Sequence, residues 1–359
     1  MKGKMITLKH HADDYECMWN GIEDLYIRDT LEILPPSFFF ILSSFGSFCY
    51  MKTPKSDIKR MIALGDGRTK QMYEFLAPIV GFEYKHYTYK MFKQAIKKAK
   101  TEIDAGFPVV LGALDMYYLP YYPKLYHREH IPFHYVLMVG YDDDAQCIYL
   151  FDCGHKDMQT LTYEQLRDAW DCSYPGLSKP NTVCTIRMNE SKNKYQIANE
   201  ALAKRAEMFL KPPVSFVGRI GFEKFLKDLP KLKRELSKEE YDKILTHMTT
   251  FFATVPTVPN ALKGINEPDK VYYGGGFDKM SRVLRGMGKE CENEIWLTAS
   301  ECFDEGAIII SEITDVIVDY LTEKHDKTDE LPKLFTKVME VMTDGFVLLG
   351  GNERVDIKN

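Results

Sequence analysis

The sequence predicts an α+β fold: an N-terminal helix with an antiparallel sheet, then a mostly α-helical C-terminal domain. β-Branched and aromatic stretches run to about residue 190 and then give way to long segments with apolar residues at helical spacing. Two apolar runs, 135–140 (YVLMVG) and 147–151 (CIYLF), flank the acidic turn Asp142, Asp143, Asp144 and read as an antiparallel hairpin. The chain carries no internal repeat of fixed period and no low-complexity tract, which argues against a solenoid.

In order along the chain, residues 17–26 read as a helix, with Met18, Ile22, Leu25 and Tyr26 at three- and four-residue steps. A second helix over 91–103 leads into the apolar strand 108–114. After the hairpin, residues 162–170 (TYEQLRDAW) begin a short helix and 182–186 form a closing strand. The polar run 189–193 (NESKN) is the expected linker and divides the chain into domains 1–190 and 191–359. The second domain reads as helices at 195–209 and 221–229, broken at Pro212 and Pro213. Ser237-x-x-Glu240 is a capping box that announces the next helix. Further helices are expected at 277–284, 290–303, 308–321 and 334–342, separated by Gly- and Pro-containing segments such as 255–264.

At 359 residues, with 45% hydrophobic and 28% charged residues, the chain can bury a real core and is not disordered. Its 47 basic against 52 acidic residues give a net charge of −5, which argues against a general nucleic-acid binder. No apolar run reaches the roughly 18 residues needed to span a bilayer, and the N-terminus is polar where a signal peptide would be apolar. The expectation is a cytoplasmic protein with no membrane attachment. Its eight cysteines are too sparse and irregular for a disulfide framework, so most should be buried thiols, with room for one nucleophile.

The segment 134–152 carries the chemistry. His134 opens one hairpin strand and Asp152 closes the other, equidistant from a turn at about Asp143, so the two should fall opposite each other. A carboxylate against an imidazole fixes its tautomer and stabilises the imidazolium formed on proton uptake. The best nucleophile is Cys17 at the predicted helix start, where unpaired backbone N–H groups and the helix dipole favour a thiolate and can serve as oxyanion donors. An early helix-borne Cys followed by a His and an Asp on successive strands is the order found in papain-like thiol enzymes.

Blander readings stand beside this one. A Cys at a helix start is often core packing, and a His at a strand start is often structural. Cys153 with His155 is a rival pair that lacks an orienting third group, and Cys49 in an apolar run reads as core. His127, His130 and His134 have the spacing H-x2-H-x3-H, but Pro132 disfavours a helix there and no Cys pair has zinc-ribbon spacing, so no metal is expected. Gly274-Gly275-Gly276 lacks the Lys of a phosphate loop and reads as a turn.

Several segments together resemble a known family. The Cys-headed helix CMWNGIEDLY, the later LPPSFFFILSSFGSFCYMK, the GFPVVLGA strand and the HYVLMVGYDD, IYLFD and TLTYEQLRDAW block resemble the N-terminal domain of butirosin-type acyltransferases, a branch of the papain-like cysteine-protease superfamily. The second part, most visibly GGGFDKMSRVL and NEIWLTA, resembles the helical domain that accompanies it. The resemblance implies a papain-like cysteine-protease fold and amide-forming acyl transfer from the phosphopantetheine arm of an acyl or peptidyl carrier protein to an amine, in nonribosomal peptide or antibiotic biosynthesis. Similar papain-like amide synthetases assemble closthioamide on a diamine. The expected acceptor is accordingly a small amine or diamine, with no bound cofactor beyond the arm that arrives on the donor. Papain-like enzymes carry Gln six residues before the Cys; here that position is His11, which makes it the candidate oxyanion donor.

Aminolysis must compete with water, so an apolar and aromatic cover is expected over the thioester. The stretch 115–133 has that composition. Tyr117, Tyr118, Tyr121 and Tyr122 are candidate substrate-binding residues, with Asp115 as a partner for a cationic amine. Basic stretches at 85–100 and 219–238 are candidate docking surfaces for an acidic carrier protein. Two alternatives remain: a cysteine peptidase or amidase using the same triad with water, and a non-catalytic scaffold. The helical domain could complete the pocket or form the face of a homodimer.

Overall fold

The computed structural model describes residues 3–12, 17–65, 68–174, 178–253 and 274–350. Glu16, beside the candidate nucleophile, and the expected break at 255–264 lie outside them. The architecture is the α+β papain-like one: an N-terminal helix, an antiparallel sheet and a helical C-terminal region.

Contacts divide the chain into two compact units, residues 1–34 with 67–197, and residues 35–66 with 198–359. This differs from a single cut near 190, because 35–66 belongs with the helices. The reason lies in its aromatic side chains. Helix α2 (Phe38–Ser43) is buried throughout. Phe45 meets Phe277 edge-on at 5.0 Å, and Phe48 stacks on Phe222 at 4.0 Å. The buried Arg205 guanidinium donates to the Ser44 and Phe45 carbonyls. Cys49, expected as core, is half-buried in the two-stranded sheet of β2 (Cys49–Lys52) and β3 (Arg60–Ala63). Composition cannot say which distant surface an apolar run will meet.

In the first unit, seven antiparallel strands form one sheet: β1 (Gly3–Met5), β4 (Phe82–Thr88), β5 (Val109–Leu114), β6 (His134–Asp142), β7 (Cys147–Asp152), β8 (His155–Thr162) and β9 (Thr182–Met188). The order is β4-β9-β5-β6-β7-β8, with β1 pairing to the far end of β6. Helix α1 (Cys17–Thr30) packs on one face, where a Cβ on Gly21 would meet Val110 Cγ2 at 2.9 Å. Glycine there lets the helix carrying Cys17 approach the sheet closely. On the opposite face α4 (Phe92–Asp104) and α5 (Tyr163–Trp170) cover Val109, Leu111, Val136 and Met138. Burial on both faces is why β5 and β6 read as continuous apolar runs. Helix α3 (Thr69–Val80) and strands β4 and β8 were not expected. Both strands terminate the sheet and carry many exposed polar residues, so their alternation is weak.

The hairpin register differs from the symmetric one. Leu137 pairs with Phe151 and Asp142 with Cys147, with an irregularity between Met138 and Gly140. The turn is longer than a minimal one: Asp142 Oδ1 accepts the amides of Asp144 and Ala145 and shapes residues 143–146. His134 is therefore diagonal to Asp152 and pairs with Leu114 of β5 instead.

The second unit is built on α6 (Lys194–Leu210), α7 (Gly218–Glu235), α8 (Lys238–Ala253), α9 (Gly275–Glu290), α10 (Glu294–Leu321) and α11 (Leu331–Gly350). The capping box forms as expected, with Ser237 and Glu240 exchanging side-chain to backbone bonds at the start of α8. The two helices expected at 290–303 and 308–321 are one, α10. Gly306 does not break it: a Cβ there would lie 2.4 Å from the Phe277 ring, so glycine serves close helix approach. No helix among the described residues is long and apolar enough to cross a membrane.

Candidate active site

The first residue of β6 and the last of β7 converge with the start of α1. His134 Nε2 lies 2.8 Å from both carboxylate oxygens of Asp152, and both side chains are buried. The diagonal placement thus still joins them, because neighbouring cross-strand side chains reach one position along. With Nε2 held by the carboxylate, Nδ1 is the nitrogen left for a thiol. Cys17 is near enough to the imidazole to be among the groups that raise its pKa. Cys17 opens α1, where the amides of the first helical turn have no intrahelical acceptor.

Electrostatics follow from this enclosure. Burial pulls the His134 pKa down, but the Asp152 carboxylate and then Cys17 outweigh it, and the pKa rises from 6.5 to about 10. For Asp152, burial acts upward, yet His134 together with the Tyr121 and Tyr122 hydroxyls holds the carboxyl below its usual range. The resulting pair is imidazolium and carboxylate at neutral pH.

Asp152 is held from two further sides. Its Oδ1 accepts the Cys153 amide at 2.7 Å and its Oδ2 accepts the Tyr121 hydroxyl at 2.9 Å. Tyr122 meets the His134 ring edge-on at 5.5 Å. Burial and the neighbouring negative charges raise both tyrosines, so they stay neutral phenols. Of the four expected substrate-lining tyrosines, Tyr121 and Tyr122 stand at the His–Asp pair. Tyr117 and Tyr118 instead pack against each other, with Tyr117 stacked on His127 and His130.

Asp115 departs from the role expected of it. It caps a 3-10 turn (Met116–Tyr118), accepts the amides of Tyr117 and Ile131, and pairs with His130 Nδ1 at 2.6 Å. Its carboxylate is committed to holding its own loop. It lines a cavity of about 690 Å³ with Tyr118, His130, Arg167, Asp168 and Asp171, among whose lining residues are none of Cys17, His134 and Asp152.

Cys153 is buried among the same groups, and its sulfur, a His134 nitrogen and an Asp152 oxygen lie within 4.8 Å of one another. Burial, then the charges of Cys17 and Asp152, push its thiol far up, so it is a poor nucleophile. His155, its rival partner, packs edge-on against Tyr121 and Tyr122. His127 and His130 do not join this group, so the three-His spacing forms no shared centre among the described residues.

His11 is tied to α1: its amide donates to Asp24 Oδ1 at 2.7 Å and its ring meets Glu23 at 2.9 Å. The histidine that reaches the site is His10, which sequence reasoning missed. Its Nε2 lies 3.2 Å from the Asp152 carbonyl and its Nδ1 2.7 Å from Asp24. The only sequence signal was the doublet itself, which does not say which ring turns inward.

Comparison with known proteins gives one family. Residues 16–153 match the family described as Butirosin biosynthesis protein H, N-terminal. No curated protein matches the chain.

Proposed function

From the match of residues 16–153 to the family described as Butirosin biosynthesis protein H, N-terminal, we propose that the chain is an amide-forming acyltransferase with Cys17 as nucleophile. The observation that carries this is the imidazole of His134, held by Asp152 through one nitrogen; Cys17 at the start of α1 is among the groups that raise its pKa, which supports its reading as the thiol that the imidazole serves. Cys17 Sγ attacks the thioester carbonyl of a carrier-bound acyl chain. The tetrahedral intermediate collapses with loss of the phosphopantetheine thiol, which takes its proton from His134, and leaves the acyl group on Cys17. An amine then attacks the acyl-enzyme, gives its proton to His134, and departs as the amide while Cys17 is released.

Thioester to amide is downhill, so the reaction needs no nucleotide. An amine of pKa near 10 is about one part in a thousand neutral at pH 7, which is why a base must take its proton. Tyr121 and Tyr122 cover the pair and favour an organic acceptor over water.

The test is intact-mass spectrometry after brief incubation with an acyl thioester, followed by a chase with amines or buffer. The expected result is an adduct on the wild type, discharged faster by a particular amine than by water. Equal discharge by water would replace the transferase with a hydrolase.

The raised His134 pKa sets the alkaline limb of the first half-reaction. Acyl loading from a small thioester should hold through neutral pH and decline only as pH passes about 10, where the imidazolium loses its proton. The linked stability has the same sign. Because the folded pKa lies above 6.5, this contribution is complete below that value and drains away as pH rises towards 10. A limb near pH 6.5 would contradict the ion pair.

For the carrier protein, the basic stretch 85–100 is partly neutralised: Lys85 pairs with Glu83, Lys98 with Glu102 and Lys100 with Asp143. Lys90, Lys93 and Lys97 remain exposed. Lys93→Glu with Lys97→Glu should raise the KM for a carrier-bound donor roughly tenfold and leave a small thioester unaffected. Equal effects on both donors would defeat this docking surface.

A further inference from the structure

Two ion-pair candidates with a buried imidazole lie back to back in the first unit. One is His134 with Asp152. The other is His10 with Asp24, whose side chains are 2% and 0% exposed. The His10 ring stacks on Phe151 at 4.6 Å with its plane 10° from parallel. Its two nitrogens face different elements. Nδ1 meets Asp24 of α1 at 2.7 Å, and Nε2 meets the backbone carbonyl of Asp152, 142 residues away, at 3.2 Å. Asp24 sits about two turns along the same helix from Cys17.

We propose, resting on the reading of Cys17 as nucleophile, that His10 and Asp24 are positioning residues: a buried bridge that ties the helix bearing Cys17 to the strand end bearing Asp152. Neither side chain contacts the reacting atoms. The bridge sets the distance and angle between thiol and imidazole, since His134 is locked to Asp152 on one side and Cys17 to α1 on the other.

Proton accounting supports the bridge. A carbonyl oxygen only accepts, so Nε2 must carry a proton. The Nδ1 contact then holds a second proton, on the ring or on the carboxyl. Both Asp24 oxygens are occupied, Oδ2 by His10 and Oδ1 by the His11 amide. The groups facing His10 are Asp24 from α1, Phe151 and the Asp152 carbonyl from β7, and the His155 carbonyl from β8.

This inventory predicts which substitution is tolerated. Asp24→Asn can keep its oxygen on the His11 amide and turn its NH2 to a neutral Nδ1, so the bridge survives with one ring proton. Asp24→Ala and His10→Ala break it.

The measurement is the second-order rate of Cys17 alkylation by iodoacetamide, read at the Cys17 peptide, with acyl loading from a small thioester alongside. Circular dichroism reports folding. Both alanine variants should fold and lose about 10- to 100-fold in each rate, while Asp24→Asn stays within about threefold of wild type. Folded alanine variants at the wild-type rate would overturn the proposal, as would Asp24→Asn falling as far as Asp24→Ala. If the alanine variants fail to fold, Asp24→Asn is compared with His10→Asn, an amide too short to reach both partners, and equal rates overturn it. Turnover retained in Cys17→Ala would remove the nucleophile reading instead, while the alkylation comparison would still report on the bridge.

Discussion

Cys17→Ala is expected to reduce amide formation to background, a loss of about a millionfold if the thiol carries the acyl group. The reason is chemical: without sulfur no acyl-enzyme forms, and the remaining seven cysteines offer no substitute. Cys153, the thiol nearest the imidazole, is buried and pushed far towards the neutral form. The variant should fold normally, since Cys17 is only half-buried, and should still bind donor. Two measurements check this together: product formation, and an intact mass that no longer shifts on incubation with an acyl thioester. Turnover near the wild-type value would sink the mechanism and leave a binding protein.

Asp152→Asn is expected to lower the rate by about ten-thousandfold with the fold retained. Here the tertiary contacts determine the outcome. Oδ1 accepts the Cys153 amide, so the new side chain must keep its oxygen there and turn its NH2 towards Tyr121 and His134. A donor then stands 2.8 Å from Nε2 beside the retained oxygen, and the charge that favoured a proton on Nε2 is gone, so the tautomer with its proton on Nδ1, which cannot accept one from Cys17, becomes populated. The opposite rotamer sets NH2 against the Cys153 N–H and leaves two donors in contact. Alkylation of Cys17 against pH separates this from unfolding, because loss of the carboxylate removes the main charge holding the imidazolium. The alkaline limb should move from about 10 towards 6.5. A tenfold loss or less would show that His134 keeps its tautomer without help.

Much of the site was legible because it is local. The turn Asp142, Asp143, Asp144 between two apolar runs announced the hairpin, and the hairpin alone brings His134 and Asp152 within reach even though the register is shifted. The helix headed by Cys17 followed from apolar spacing, and the Ser237–Glu240 box from capping chemistry. Asp115 shows the limit. Its composition-level neighbourhood suggested substrate binding, yet its carboxylate closes its own loop through two amides and His130. A surface aspartate and a loop-capping one look alike in sequence.

The sequence by itself determined the helix of Cys17, the strands of His134 and Asp152, and the two kinds of secondary structure, because periodicity and turn chemistry act between residues a few positions apart. Tertiary structure alone decided that residues 35–66 join the helical unit, that Tyr121 and the Cys153 amide orient Asp152, and that His10 rather than His11 meets the Asp152 carbonyl. Those contacts join residues far apart in the chain, and they are selected by shape and hydrogen-bond complementarity in a closely packed interior, which one-dimensional spacing does not encode.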